Sequence, residues 1–156
     1  MVRNNHFMKK VLKIIAIVIA SGLIILQFFR PDFTNPPVNS AEVLQVPENV
    51  GAILKRSCND CHSNETVYPW YSKIQPSGWF LKDHIDEGRR ELNFSIWTTY
   101  ENRKKRRKFE EICDQVKYKS MPLPSYLWVH WSAEMSDADI KTLCEWANAE
   151  SVKIAE

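Results

Sequence analysis

The chain has 156 residues, room for one domain and an appendage, and its 21 Lys and Arg against 19 Asp and Glu leave it close to neutral. Arg3, Lys9, Lys10 and Lys13 precede any acid, and the remainder carries 17 basic against 19 acidic groups. A body so balanced gives no electrostatic reason to expect nucleic acid as a partner. Four glycines and eight prolines rule out a low-complexity chain. The six tryptophans are many for a small domain; they suit either a core or the lining of a large flat apolar ligand.

Residues 1–10 form a basic segment. From Val11 to Phe29 the chain reads V-L-K-I-I-A-I-V-I-A-S-G-L-I-I-L-Q-F-F, with Lys13 its single charge. That is close to the roughly 20 residues that cross a hydrocarbon core as a helix. Its basic flank predicts a cytoplasmic amino terminus and an exported remainder, a single-pass protein of the inner membrane with its domain in the periplasm. No A-x-A-like site follows, so the segment reads as an uncleaved anchor. Residues 30–46 begin as a linker stiffened by Pro31, Pro36 and Pro37. The domain proper is expected over 47–152.

Within it, Val50, Ile53 and Leu54 fall on one face of a helix over 47–56, with Pro47 suited to the first turn. Residues 66–78 read as an irregular loop. A second helix is expected over 79–92 and a third over 103–119, where Phe109, Ile112, Cys113 and Val116 share a face. Ser136 opens the last with S-D-A-D, close to a capping box, and Ile140, Leu143, Cys144 and Ala147 repeat the helical spacing. Nothing alternates as a strand does, so the fold class is all-α.

Cys58, Cys61 and His62 stand in R-S-C-N-D-C-H-S-N-E. A zinc site would need two more ligands, and no second C-x-x-C exists. A thioredoxin-like dithiol would need a preceding strand. Attachment of haem c uses every residue of the motif: two sulfurs bond the vinyl groups and the adjacent histidine ligates the iron. An export segment ahead of the motif agrees with that chemistry.

The chain resembles the bacterial cytochrome c-like haem-binding domain proteins, which are small, membrane-anchored and mono-haem. The resemblance runs through T-N-P-P-V (Thr34 to Val38), A-I-L-K-R-S-C-N-D-C-H-S-N-E-T (Ala52 to Thr66) and Y-P-W-Y-S-K-I-Q-P (Tyr68 to Pro76). It continues in E-G-R-R-E-L-N-F-S-I-W (Glu87 to Trp97) and M-P-L-P-S-Y (Met121 to Tyr126). It implies a helical cytochrome c-like domain with one covalent haem outside the cytoplasm. It says little about the physiological role.

For the second axial ligand, Met121 stands in K-S-M-P-L-P, where Pro122 and Pro124 stiffen the loop, and a thioether suits haem iron. The resemblance favours it too. His84 is the rival, with His130 and Met135 behind, and an open sixth site is a further alternative. Cys113 and Cys144 lie on the apolar faces of two predicted helices. In an oxidising compartment they are expected to pair, the alternative being two buried thiols. The run R-K-K-R-R-K, Arg103 to Lys108, reads as a solvated helix surface or as a patch for an acidic redox partner. No acid–base constellation is legible. The expectation is a one-electron carrier serving a membrane-bound or periplasmic redox partner and touching the bilayer through residues 11–29. A haem sensor, a small peroxidase and an accessory subunit of a larger complex are its rivals.

Overall fold

Residues 2–155 are described in the computed structural model, with side chains over 7–154. All regular elements among them are helices, so the fold is all-α. Two compact units divide the chain. One takes in the residues through Thr34 together with Tyr68–Asp83, and the other takes in Asn35–Val67 and His84 onward.

The first unit contains α1, Val2–Leu26. The apolar side chains of α1 from Phe7 to Ile25 are exposed, Val18 to 65% and Ile24 to 63%. Here the expectation of a spanning helix over 11–29 meets a difference. Among the described residues no helix is long and apolar enough to cross a membrane. The helix ends at Leu26, and Gln27, Phe28 and Phe29 follow as turns. Its uncharged part, from Ile14 to Leu26, falls short of the roughly 20 residues a span requires, and a longer window takes in Lys9, Lys10 and Lys13. The rest of this unit closes on the turn after α1. The Gln27 amide donates to the Gln75 carbonyl at 3.0 Å while Gln75 N–H donates back to Gln27 Oε1 at 2.9 Å. Trp79 Nε1 donates to the Phe29 carbonyl at 2.8 Å, and Phe33 meets Tyr68 edge-on at 5.1 Å. The stretch expected to be irregular holds a 3-10 turn, Trp70–Lys73, and α4 begins at Ser77.

The second unit holds α2 (Glu48–Ser57), α3 (Asn59–His62), the part of α4 (Ser77–Glu91) from His84 onward, α5 (Asn102–Lys117), α6 (Pro124–Leu127) and α7 (Asp137–Ala155). The faces read from helical spacing are the buried ones. Val50, Ile53 and Leu54 of α2, Phe109, Ile112, Cys113 and Val116 of α5, and Leu143, Cys144 and Ala147 of α7 form one core cluster. Burying each large aliphatic side chain contributes about 1.5–3 kcal/mol. Trp97 and Trp146 lie on either side of Phe109, with centroids 4.7 and 5.2 Å away, so these two tryptophans serve the core. Trp70, Trp128 and Trp131 are largely exposed. Cys113 and Cys144 are joined in a disulfide between α5 and α7, with Cα atoms 4.7 Å apart.

Helix ends explain how neighbouring segments are placed. At the start of α7 the Asp139 N–H donates to Ser136 Oγ at 3.2 Å, and the Ser136 N–H and hydroxyl donate to the Asp139 carboxylate at 2.9 and 2.8 Å, a capping box with Asp in the acidic position. The same carboxylate meets Arg56 of α2 at 2.8 Å. After α5, Lys119 takes φ 54°, a left-handed conformation usual for glycine. Ser120 and Met121 N–H then both donate to the Gln115 carbonyl, at 2.9 and 3.2 Å, which fixes where Met121 leaves the helix.

Candidate functional site

The C-x-x-C-H stretch straddles a break between two helices. Cys58 caps α2, its N–H donating to the Leu54 carbonyl at 2.8 Å. The chain then starts the single turn α3, where His62 N–H donates to the Cys58 carbonyl at 2.9 Å. Both cysteines are free thiols. Burial pushes the Cys58 thiol up to about 12 and the Cys61 thiol up to about 11, with the neighbouring Cys61 and Asp60 charges adding to the respective shifts. Both sulfurs therefore stay protonated at neutral pH.

His62 is oriented by main chain alone. Its Nδ1 lies 3.0 Å from the carbonyl oxygens of both Gly88 and Leu92, at the end of α4. Two acceptors require a donor, so Nδ1 carries the proton and Nε2 presents its lone pair, the form that a metal takes. Burial holds the imidazole below its ordinary pKa, which also keeps the ring neutral; the two carbonyls act in the opposite direction. The approach of α4 depends on Gly88. A Cβ there would stand 2.7 Å from the Cys61 carbonyl oxygen and 3.1 Å from its Cβ.

A polar clasp holds the segment after His62 to the segment after α4. Arg89 donates from Nε to the Ser63 carbonyl at 2.8 Å and from its terminal nitrogen to Asn35 at 2.7 Å and Thr66 at 2.8 Å. The Asn93 amide donates to Asn64 at 2.8 Å, and Asn64 N–H donates to the Ser95 hydroxyl at 2.9 Å. Arg89, Asn93 and Ser95 belong to E-G-R-R-E-L-N-F-S-I-W; Asn93 and Ser95 are buried and Arg89 is half-buried.

Two cavities of about 220 and 280 Å³ share Cys58, His62, Glu91 and Met121 in their walls. The smaller is largely aliphatic, with Leu54, Leu92, Ile112, Val116 and Leu143 joined by Phe94, and its lining also includes Lys108, Glu111 and Gln115. The larger adds Cys61, His84, Asp60 and Tyr126. No tryptophan lines either cavity, and the smaller one is aliphatic with a single phenylalanine, Phe94. Ser57, in the wall of the larger cavity, keeps a buried hydroxyl with no protein partner.

Of the residues singled out from the sequence, Cys58, Cys61, His62, Met121 and His84 come together around one cavity. His130 instead stacks on Tyr126, with rings 4.2 Å apart, and lines neither cavity, while Met135 packs against the core cluster. Among the described residues no three His, Cys, Asp or Glu side chains gather as a bound metal ion requires, so the zinc reading lacks its further ligands. The basic run has several local contacts. Arg106 and Arg107 face Glu110 and Glu111, Lys104 lies over the Tyr100 ring, and Lys108 is buried against Glu111 at 2.6 Å.

The donor set fits a haem. A neutral imidazole with Nδ1 held by two carbonyls, a thioether, two protonated thiols and a largely aliphatic wall that also holds a lysine suit a flat apolar macrocycle with carboxylates on one edge. Sequence reasoning did not find the two carbonyls, the clasp, Lys108 or the Asp60 contact described below. The signal for the clasp lay in Arg89, Asn93 and Ser95 of the E-G-R-R-E-L-N-F-S-I-W motif.

Comparison with known proteins gives the same answer. No curated protein and no solved structure matches the chain. A family described as Haem-binding domain matches residues 21–149, which is most of the chain and includes every residue of this site. The chain therefore belongs to the Haem-binding domain family, and haem is its cofactor.

Proposed function

We propose that this protein is a membrane-attached c-type cytochrome, carrying one covalent haem on the periplasmic side of the inner membrane and passing single electrons. The observation that carries the reading is His62, with Nδ1 committed to two carbonyls beside two free thiols and a methionine. Cys58 and Cys61 would hold the haem through thioethers, each S–H adding across a vinyl double bond with its hydrogen going to the neighbouring carbon and no oxidant consumed. His62 Nε2 and Met121 Sδ would hold the iron, and a histidine–methionine pair would raise its reduction potential. When bound, the cofactor supplies an iron that alternates between ferric and ferrous. The aliphatic wall excludes water from that centre, and the chain keeps the ring oriented through Gly88 and Leu92.

The amino-terminal segment is the attachment to the bilayer in this reading. Its support is the exposed apolar surface of α1 and the lysines Lys9, Lys10 and Lys13 in the first half of that helix, which favour a cytoplasmic amino terminus. Phe28 and Phe29 extend the apolar stretch beyond the helix, and Lys13 can snorkel, which shortens the span required. Tethering raises the effective concentration of the haem near a membrane-bound or periplasmic redox partner. The protein should sediment with membranes and be digested by protease added to the periplasmic side.

The test is the optical spectrum of ferric and ferrous protein from cells able to attach haem c, for wild type and Met121→Ala. A low-spin spectrum with a Met–iron charge-transfer band, lost in the variant, is expected. One observation favours a second reading: His84 lines the same cavity as His62. A low-spin spectrum indifferent to Met121→Ala would move the sixth ligand to His84. A high-spin wild type that binds carbon monoxide readily would point to a sensor or small peroxidase.

A further inference from the structure

The loop that delivers Met121 is fastened at both ends. One end is the Gln115 carbonyl at the close of α5, which accepts from the Ser120 and Met121 N–H groups. The other is a hydrogen bond across 66 residues of sequence, in which the Tyr126 hydroxyl donates to the Asp60 carboxylate at 2.7 Å. Asp60 lies between Cys58 and Cys61, and it is itself held. Its other carboxylate oxygen accepts from Val67 N–H at 3.0 Å, and its carbonyl accepts from the Thr66 hydroxyl at 2.6 Å. Tyr126 belongs to the single turn α6, five residues after Met121, and lines the same cavity as Met121, Pro122 and Leu123. Its ring is stacked on His130, 9° from parallel.

We propose that Tyr126 is a positioning residue, whose hydroxyl on Asp60 clamps the Met121 loop to the turn that carries His62 and so keeps the thioether on the iron. The proposal rests on the reading of Met121 as the sixth ligand. A hydrogen bond to an ionised carboxylate is among the stronger ones. A ligand loop tied in this way exchanges its methionine for an outside ligand less readily, because departure of the loop breaks the tie. Losing one such bond changes the equilibrium by roughly ten- to a hundred-fold.

The experiment titrates imidazole into the ferric holoprotein and follows the Met–iron band, for wild type, Tyr126→Phe, Asp60→Ala and Asp60→Asn. Thermal unfolding is recorded alongside. Tyr126→Phe keeps the ring and its stacking on His130. It should bind imidazole about tenfold or more tightly than wild type while its melting changes little. Asp60→Ala should raise imidazole affinity to the same extent, though it also loses the Val67 bond and melts lower, and Tyr126→Phe combined with Asp60→Ala should add nothing further in affinity. Asp60→Asn can still accept from Val67 and donate to Tyr126, so it should stay near wild type. Unchanged imidazole affinity in Tyr126→Phe, with the band present in wild type, overturns the clamp alone. An equal change in Asp60→Asn and Asp60→Ala also overturns it, since charge and not the tie would then be responsible. A wild type without the band overturns the clamp together with the Met121 reading.

Discussion

A single imidazole decides the chemistry of the site, and what orients it is main chain. The carbonyls of Gly88 and Leu92 lie 26 and 30 residues beyond His62 and have no signature of their own in a sequence. The C-x-x-C-H spacing was legible because it is local; the partners were not, because they arise only when α4 docks. That docking needs the bare Gly88. Gly88→Ala is expected to push the Cys61 backbone and the His62 acceptor apart, at a cost of about 1–3 kcal/mol. Urea unfolding, with the haem-to-protein absorbance ratio of the purified product, checks both effects, and an unchanged ratio would count against the role assigned to this contact. Asp139 offers a pH-dependent counterpart. The Ser136 N–H and hydroxyl, then Arg56, hold its carboxyl below the ordinary range, against a smaller opposing effect of burial. A depressed carboxylate adds stability above its unfolded pKa of about 3.9 and loses it as pH falls through the folded value. The stability gap between wild type and Asp139→Asn should thus be widest near neutrality and narrow below about pH 4. Denaturant titrations across that range would show it, and a constant gap would contradict it.

Helices declared themselves by spacing. The apolar positions read from α2, α5 and α7 are the ones that form the core, since 3.6-residue periodicity and burial are two views of one face. The start of α7 was equally legible from Ser136 and Asp139. Ser136→Ala should lower stability by about 1 kcal/mol, measured as a shift of the urea midpoint with unchanged slope. Two elements were less transparent. The apolar stretch 11–29 outruns its helix, because hydropathy does not say where the backbone stops coiling. The run Arg103 to Lys108 suggested a solvated helix surface or a docking patch, yet Lys108 lies buried between Glu111 and Glu91 in the lining of the smaller cavity. Composition alone hid that one cation of the six points the other way.

Across the whole molecule, the chain is apportioned in a way that linear reading did not foresee. Tyr68–Asp83 groups with the amino-terminal region, while the segments on either side of it build the haem-binding site. Linear boundaries fail wherever a unit is assembled from separated stretches. The second unit is closed by the disulfide between α5 and α7, with a sequence separation of 31. Replacing both cysteines with alanine should cost about 3–4 kcal/mol by loop-closure entropy, seen as a lower melting temperature of the oxidised but not the reduced protein. That cross-link also imposes a sorting problem. Four cysteines can pair in three ways, and the two thiols nearest in sequence are Cys58 and Cys61, so chance oxidation favours the wrong couple. If Cys58 and Cys61 attach the haem as proposed, the molecule asks its surroundings for an oxidant at residues 113 and 144 and a reductant at residues 58 and 61 during the same maturation. A cell that supplies the oxidant alone should accumulate a colourless protein with two disulfides.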